Sequence, residues 1–340
     1  MAPRRRRAAR LSPAALLAGA ALLSACAVGG ALPEGAAGPE APARAAEPAP
    51  TEAIALPASD GTPLPTSRWL PEGETRAVIL ALHGFGDYGA STFTAAATAW
   101  AAAGIATYAP DQRGFGRGET RGRWPGADAL VADAVSLAAS VCARHPGRPL
   151  IVLGHSMGGG IALAAAAQGL AADRLVLAAP AIWGGDALNP VHRFAAWTAA
   201  AVAPERRFSG RGLVRIQASD NIEALRALGR DPLYLAPPSA RELLGLVRIV
   251  DRAAAAAEET RQPALLLLGA KDEILPEARV RDVFARLPGP QREIRYPDGW
   301  HLLFRDLQAE RVWLDVAAYA LEETTTARAC AAPRLAASAG

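Results

Sequence analysis

The pentapeptide Gly154-His155-Ser156-Met157-Gly158 carries a serine in a spacing that can present a nucleophilic hydroxyl at a sharp turn. By itself this G-x-S-x-G pattern is weak in a chain with 32 glycines. Its flanks make it more specific, because the motif requires a strand before the serine and a helix after it. An apolar run at 150–153 precedes it, and an alanine-rich helical pattern at 157–170 follows it. We therefore predict that Ser156 is a nucleophile; the alternative is an incidental serine in a structural turn.

A serine hydroxyl needs a base to take its proton, and the base needs a carboxylate that orients it. Of the 5 histidines, only His192 and His301 follow Ser156 in the chain. His301 comes after the last predicted strand and is the expected base, whereas His192 lies in a helical region where packing or surface exposure is expected. For His83 and His155 we expect supporting roles, in which they hold their loops by packing and hydrogen bonding.

The orienting carboxylate should follow the strand that precedes the base-bearing one. Asp272 meets this condition, because it lies just beyond the apolar run at 264–268. Glu273 is adjacent but is expected to point elsewhere. Asp298 is a rival because it is close to His301 in sequence, although a role in shaping the turn with the following glycine suits it better.

The oxyanion formed when a serine attacks a carbonyl needs preorganised hydrogen-bond donors. Met157, the residue after the nucleophile, offers one backbone N–H at the start of the predicted helix. The second is expected in the loop after the predicted strand at 77–82, where the sequence reads His-Gly-Phe-Gly-Asp. We assign it to the N–H of Phe85, since Gly84 and Gly86 let the backbone approach a substrate closely.

Strand-length apolar runs alternate with helical patterns, which predicts an α/β fold with a mostly parallel sheet and helices on both faces. The predicted strands are 77–82, 105–109, 150–153, 174–178, 264–268 and 292–296, and the predicted helices are 91–104, 127–143, 157–170, 276–285 and 307–322. The alternation stops at about 183–260, where prolines interrupt helical patterns. This stretch is interpreted as a helical cap over the carboxyl edge of the sheet, where ligands bind in such folds. A separate helical domain is the alternative.

Several motifs occur in a family order: His83-Gly84-Phe85-Gly86, Asp111-Gln112-Arg113-Gly114-Phe115-Gly116, Gly154-His155-Ser156-Met157-Gly158-Gly159, Lys271-Asp272 and Asp298-Gly299-Trp300-His301. Together they resemble the monoacylglycerol lipase and lysophospholipase-like (serine aminopeptidase S33-type) branch of the α/β-hydrolases, over roughly residues 60–320. Asp231-Pro232-Leu233-Tyr234 is similar to a cap-exit motif of that branch. The resemblance implies an apolar acyl tunnel under the cap, no metal or organic cofactor and no obligate protein partner. Members share the cap least, so substrate preference does not carry over.

These observations predict a serine hydrolase that cleaves monoacylglycerols, lysophospholipids or similar mono-acyl esters through an acyl-enzyme. Trp183, a candidate substrate contact, and Trp197 favour acyl chains in the cap. The alternatives are a short-chain carboxylesterase or an aminopeptidase-like amidase on the same triad, and, in another class, a non-catalytic binding lipoprotein. A peptidase should place acidic residues in the cap to hold a substrate amine.

The N-terminus predicts export and lipid anchoring. Four consecutive arginines precede a short apolar run at 11–23, and Leu23-Ser24-Ala25-Cys26 resembles a bacterial lipobox. The five arginines of residues 1–25 exceed the net charge of +3, so the remainder is acidic and lacks the electrostatic footprint of a nucleic-acid binder. An ordinary signal peptide, a simple membrane anchor and a twin-arginine signal are alternatives. We expect an envelope protein on the outer membrane or the periplasmic face of the inner membrane.

The predicted organisation is a signal peptide at 1–25, a lipidated Cys26 and an Ala/Pro-rich tether at 26–52, a hydrolase domain at 53–324 and a flexible tail at 325–340. Cys142 and Cys330 could pair in an oxidising compartment, but spacing alone cannot establish a bond. Since one lies in a predicted helix and the other in the tail, we expect a free thiol at Cys142.

Overall fold

The computed structural model describes residues 52–184, 190–208, 216–235, 237–323 and 329–331. The predicted signal peptide, Cys26 and nearly all of the tether lie outside these residues, as does the side chain of His192. Among the described residues, no helix is both long and apolar enough to cross a membrane.

One eight-stranded sheet forms the centre of the domain, in the order β1-β2-β4-β3-β5-β6-β7-β8. The strands are β1 Glu52–Pro57, β2 Pro63–Trp69, β3 Ala77–Leu82, β4 Ile105–Pro110, β5 Leu150–His155, β6 Arg174–Ala178, β7 Ala264–Gly269 and β8 Gln291–Tyr296. From β4 to β8 all neighbours are parallel. Strands β3 to β7 are buried along their whole length, because helices cover both faces of the sheet, and this explains why they read as continuous apolar runs.

The predicted alternation of strands and helices is confirmed, with shifts of a few residues at the ends. The helices outside the cap are α1 Gly89–Ala102, α2 Ala127–Arg144, α3 Met157–Ala166, α7 Glu277–Phe284 and α8 Ala309–Leu321. Helices α1 and α8 lie together, joined by a 2.9 Å hydrogen bond from Trp100 Nε1 to the carbonyl of Trp313. Helix α3 is buried at every position, since it starts directly after Ser156 and packs between sheet and cap.

The hairpin β1–β2 was not predicted from the sequence. It is antiparallel and extends the sheet beyond β4. Strand β1 forms the edge and buries one of its six residues, so it lacks the apolar run that marks the inner strands. Its turn is attached to the domain through Arg113, which pairs with Asp60 at 2.6 Å and with Asp133 at 2.9 Å.

The stretch between β6 and β7 forms the predicted helical cap, with α4 Pro190–Val202, α5 Ile222–Arg230 and α6 Ala240–Ala256. Helix α6 begins with a capping box in which Ser239 and Glu242 bond each other's backbone N–H groups. It packs on α3 and receives the ring of Trp124 against Gly245, where a Cβ would lie 2.1 Å from the indole. The absence of a side chain at Gly245 thus lets this aromatic ring support the cap.

The expectation of a free thiol at Cys142 is wrong. Cys142 is disulfide-bonded to Cys330, with their Cα atoms 4.7 Å apart. Residues 329–330 lie at the edge of the sheet where the parallel strands begin. There Ala329 N–H donates to Asp173 at 3.0 Å, and Gly147 N–H donates to the carbonyl of Cys330 at 2.7 Å. These contacts fasten residues 329–330 of the predicted tail beside the end of α2.

Candidate active site

Ser156 lies at the turn between β5 and α3. Its backbone conformation, φ 52° and ψ −117°, is one that residues other than glycine rarely adopt. Such a conformation costs of order 1–3 kcal/mol and persists only when its surroundings fix it. Here its carbonyl accepts 2.9 Å hydrogen bonds from the N–H groups of Gly159 and Ala181, while its own N–H donates to Ala178 at 3.0 Å. The turn therefore holds the hydroxyl off the end of the strand.

The two glycines of the pentapeptide are required by close backbone contacts. A Cβ at Gly154 would lie 2.3 Å from the carbonyl oxygen of Gly158, and one at Gly158 would lie 2.1 Å from that of Leu82. Strand β5, helix α3 and strand β3 thus meet with no room for a methyl group. This explains the spacing of the motif in physical terms.

The structure brings Ser156, His301 and Asp272 together in one hydrogen-bonded chain. His301 Nε2 lies 3.0 Å from Ser156 Oγ, and His301 Nδ1 lies 2.8 Å from Asp272 Oδ2. All three side chains are buried, and each extends from the carboxyl edge of a parallel strand. With Nδ1–H donating to the carboxylate, Nε2 is left as the acceptor that faces the serine hydroxyl.

Asp272 is held as a carboxylate. Burial alone would raise its pKa, but the imidazole of His301 and the N–H groups of Ile274 and Leu275 outweigh burial and lower the pKa. Those two N–H groups donate to Oδ1 at 2.8 and 3.1 Å, which leaves Oδ2 for the imidazole. The rival Asp298 is exposed and pairs with Lys271 at 2.7 Å, and Glu273 accepts from the N–H of Gln217.

The N–H groups of Phe85 and Met157 are the two predicted oxyanion donors. Met157 is the first residue of α3, where a backbone N–H has no partner within the helix. The Phe85 loop approaches the serine so closely that a Cβ at Gly84 would lie 3.3 Å from Ser156 Cβ. Among the described residues neither N–H donates to a protein acceptor, so both can serve an incoming oxyanion. The ring of Phe85 packs edge-to-face on Phe115 and fixes this loop.

His83 and His155 hold the two loops, as the sequence predicted. His83 is buried and its pKa is lowered by desolvation, so it is neutral: Nδ1–H donates to Gly84 O at 2.8 Å and Nε2 accepts from Gln112 N–H at 2.9 Å. Burial and the neighbouring His301 lower the pKa of His155 to about 3. Its Nε2–H donates to the carbonyl of His301 at 2.9 Å and so supports the main chain there.

The cavity above Ser156 is small, at about 10 Å³, which is room for roughly one water molecule. Its described lining comprises Gly84, Phe85, Asp87, His155, Ser156, Leu228, Tyr234, His301 and Leu302. Leu228 and Tyr234 come from the cap, and Tyr234 belongs to the cap-exit motif noted in the sequence. A cavity of this volume is too small to hold an acyl ester.

The two tryptophans expected to favour acyl chains lie elsewhere. Trp183 is half-buried against the main core and is not among the described residues that line the cavity. Trp197 is 55% exposed and stacks on Phe194, which is 61% exposed, on the outside of the cap. Residue type indicated an apolar cap but could not show which way each ring faces.

A buried ion pair at the site was missed by the sequence analysis. Asp87, next to the Phe85 loop, pairs with Arg305 at 2.6 Å, and both side chains are largely buried. Burial would raise the pKa of Asp87, but Arg305 outweighs it and lowers that pKa to about 2. The pair joins the oxyanion-side loop to the loop that carries His301.

The sheet order, the helical cap and the strand–Ser156–helix turn define an α/β-hydrolase. Within this class, the chain belongs to the family described as serine aminopeptidase, S33, whose model matches residues 73–308. It is 31% identical over 258 residues to a monoacylglycerol lipase of Mycolicibacterium smegmatis, covering 74% of this chain and 90% of that protein. The chain is thus a serine ester hydrolase of the monoacylglycerol lipase and esterase type.

Solved structures share the fold at lower identity. A monoacylglycerol lipase of Paleococcus ferrophilus superposes with a TM-score of 0.64 at 21% identity, over 76% of this chain and 98% of that one. A soluble variant of the Saccharomyces cerevisiae monoglyceride lipase, in complex with a substrate analogue, gives 0.64 at 20% identity over 84% and 99%. A carboxyl esterase of Bacillus coagulans in complex with glycerol gives 0.66 at 18% over 79% and 97%.

Proposed function

We propose that this protein hydrolyses mono-acyl esters, monoacylglycerols above all, with Ser156 as nucleophile, His301 as general base and Asp272 as its orienting carboxylate. The observation that carries the proposal is the continuous Ser156–His301–Asp272 hydrogen-bonded chain, with distances of 3.0 and 2.8 Å. The substrate class follows the monoacylglycerol lipase of M. smegmatis, to which this chain is 31% identical.

The reaction has two stages, acylation of the serine and hydrolysis of the acyl-enzyme. Ser156 Oγ attacks the ester carbonyl while His301 Nε2 takes the hydroxyl proton, and the N–H groups of Phe85 and Met157 stabilise the oxyanion. His301 then gives its proton to the departing alcohol, which leaves an acyl-serine. Water, deprotonated by the same nitrogen, attacks the acyl group; the fatty acid leaves and Ser156 regains its proton. Asp272 stabilises the imidazolium in both stages.

An aminopeptidase activity is disfavoured by the charge of the cavity. Recognition of a substrate ammonium group needs a carboxylate free to pair with it. Among the described residues that line the cavity, Asp87 is the only carboxylate, and it is already paired with Arg305. A short-chain carboxylesterase remains the second candidate, since the cavity of about 10 Å³ sets no preference for chain length.

The test is a substrate panel of monoacylglycerols and p-nitrophenyl esters of graded length, with an aminoacyl p-nitroanilide. Long-chain monoacylglycerols should give the highest kcat/KM, and Ser156→Ala should abolish both turnover and fluorophosphonate labelling. Ser140→Ala, which changes a half-buried serine on α2 that does not line the cavity, is the control and should match the wild type. Equal labelling of Ser156→Ala would refute the assignment, and a maximum at acetate or butyrate would favour the carboxylesterase.

We also propose that the chain is exported and anchored to the cell envelope through Cys26. The Cys142–Cys330 disulfide supports export, because such bonds form and persist in oxidising compartments and are rare in the cytosol. Metabolic labelling with a palmitate analogue followed by membrane fractionation tests the anchor. Wild-type protein should be labelled and membrane-bound, whereas Cys26→Ser should be neither; an unlabelled wild type would contradict the proposal.

A further inference from the structure

Asp306 lies five positions after His301, and its carboxylate joins the loop around His301 to the cap. It is almost fully buried. Its Oδ2 accepts a 2.7 Å hydrogen bond from the backbone N–H of Trp300, and its Oδ1 accepts a 2.6 Å hydrogen bond from the hydroxyl of Ser219. Ser219 belongs to residues 216–221, the cap segment that leads into α5, here named the cap strap.

Other hydrogen bonds join the cap strap to later residues of the loop that carries His301. Leu302 N–H donates to Ala218 O at 2.9 Å, and Asn221 Nδ2 donates to Arg305 O at 2.8 Å. Both involve residues that follow His301. Asp306 differs because it bonds the N–H of Trp300, the residue before His301, so the main chain on the N-terminal side of His301 is fixed through its carboxylate.

The main chain at His301 is therefore held from two directions. On one side His155 Nε2–H donates to the carbonyl of His301 at 2.9 Å. On the other, Asp306 accepts from Trp300 N–H. The imidazole must meet both Ser156 and Asp272, and a misplacement of about 1 Å can cost on the order of 100-fold in rate.

A carboxylate suits this task because charge-assisted hydrogen bonds are shorter and stronger than neutral ones. Its charge is costly here, since burial raises the pKa of Asp306 to about 6 despite the bonds from Ser219 and Trp300. Asp220 raises that pKa further, while His301 lowers it. At pH 7 and above the group is mainly ionised and both of its oxygens act as acceptors.

We propose that Asp306 is a positioning residue for the general base, which it clamps to the cap strap so that the placement of His301 depends on a seated cap. The inference rests on the proposed role of His301. On this inference the cap has a second role besides covering the substrate, because its residue Ser219 helps to align the base.

The test compares Asp306→Asn, Asp306→Ala and Ser219→Ala in the full chain. Turnover of a p-nitrophenyl ester is measured as kcat per active site, with sites counted by fluorophosphonate labelling, alongside KM. Asp306→Asn should lower kcat per site about 10-fold and Asp306→Ala up to about 100-fold, with KM within about twofold. Ser219→Ala should lower kcat less, because it spares the bond to Trp300, and it should add nothing to Asp306→Ala if the two residues act through one link.

Asp298→Asn is the matched control, because it makes the same substitution in the same loop at an exposed carboxylate. It should leave kcat per site unchanged. If Asp306 had a merely structural role, its loss would reduce the number of labelled sites, but each remaining active site would turn over at the wild-type rate. That result in Asp306→Asn and Ser219→Ala would overturn the inference. A wild type that hydrolyses no ester would instead overturn the proposed function. If Asp306→Ala does not fold, the other two variants decide the question.

Discussion

Loss of the Cys142–Cys330 disulfide should destabilise the domain strongly without impairing catalysis. The perturbation is reduction of the wild-type bond, or Cys330→Ala. The bond joins the end of α2 to the tail beside the edge where the parallel strands start, whereas Ser156 lies at the opposite, carboxyl edge. We therefore expect the effect on stability to be large and the effect on kcat to be small.

The magnitude follows from the length of chain that the bond closes. With a sequence separation of 188 residues, the chain-entropy model gives about 5 kcal/mol at 25 °C. Two hydrogen bonds keep the reduced tail partly docked, from Gly147 N–H to Cys330 O and from Ala329 N–H to Asp173, and each is worth about 1 kcal/mol. If the tail of the reduced protein frays, the native state gains conformational entropy, which offsets part of the loss of about 5 kcal/mol. We therefore expect the free energy of unfolding to fall by about 3–5 kcal/mol.

The assay is urea unfolding followed by tryptophan fluorescence, in a Cys26→Ser background so that the two remaining cysteines are the bonded pair. At an m-value of about 3 kcal/mol per M, dithiothreitol should lower the midpoint by about 1–1.7 M. Cys330→Ala should start at the lower midpoint and not respond to dithiothreitol. An unchanged wild-type midpoint under reduction, or two free thiols in the denatured but unreduced protein, would refute the reasoning.

Three further predictions address the site. Asp272→Asn should lower kcat on the order of 10⁴-fold with little change in KM, measured by steady-state kinetics, because the amide no longer stabilises the imidazolium; a loss below tenfold would contradict its role. Gly158→Ala should cost at least about 1–3 kcal/mol in thermal unfolding, since its Cβ would lie 2.1 Å from Leu82 O; an unchanged Tm would contradict the packing. Asp87, with its pKa lowered to about 2, should contribute about 2 kcal/mol above pH 4 that is lost as the pH falls from about 4 to 2. Urea unfolding at pH 7 and pH 3 checks this, and Asp87→Asn should flatten that part of the profile.

The sheet and the arrangement of the three candidate catalytic side chains could be predicted because their signals are local. Each inner strand is buried on both faces and reads as an apolar run, and parallel strands bring their carboxyl ends to one edge. Ser156 and Asp272 each follow such a run, whereas His301 follows the mostly exposed edge strand β8, which continues the alternation of strands and helices. Their meeting therefore required no knowledge of distant contacts. The edge strand β1, with one buried residue, has no comparable signal.

The remaining features depend on contacts that no local pattern encodes. Ser219 and Asp306 are 87 positions apart, and only the docking of the cap makes them partners. Cys142 and Cys330 are 188 positions apart, and their pairing depends on where residues 329–330 dock, which spacing does not determine. The outward ring of Trp197 follows from how the cap packs on the sheet, and composition alone cannot specify that orientation.

At Ser156, the residue that is best for folding stability differs from the residue that hydrolysis would require. Its φ of 52° is a conformation that glycine adopts freely and serine only under strain of order 1–3 kcal/mol. Ser156→Gly would thus relieve strain and remove the proposed nucleophile in one step. In a duplicated gene no longer selected for hydrolysis, glycine at this position would be favoured by folding alone. A related protein that keeps the flanking glycines but has glycine at position 156 would therefore indicate a lineage that has retained the fold and lost the hydrolase activity.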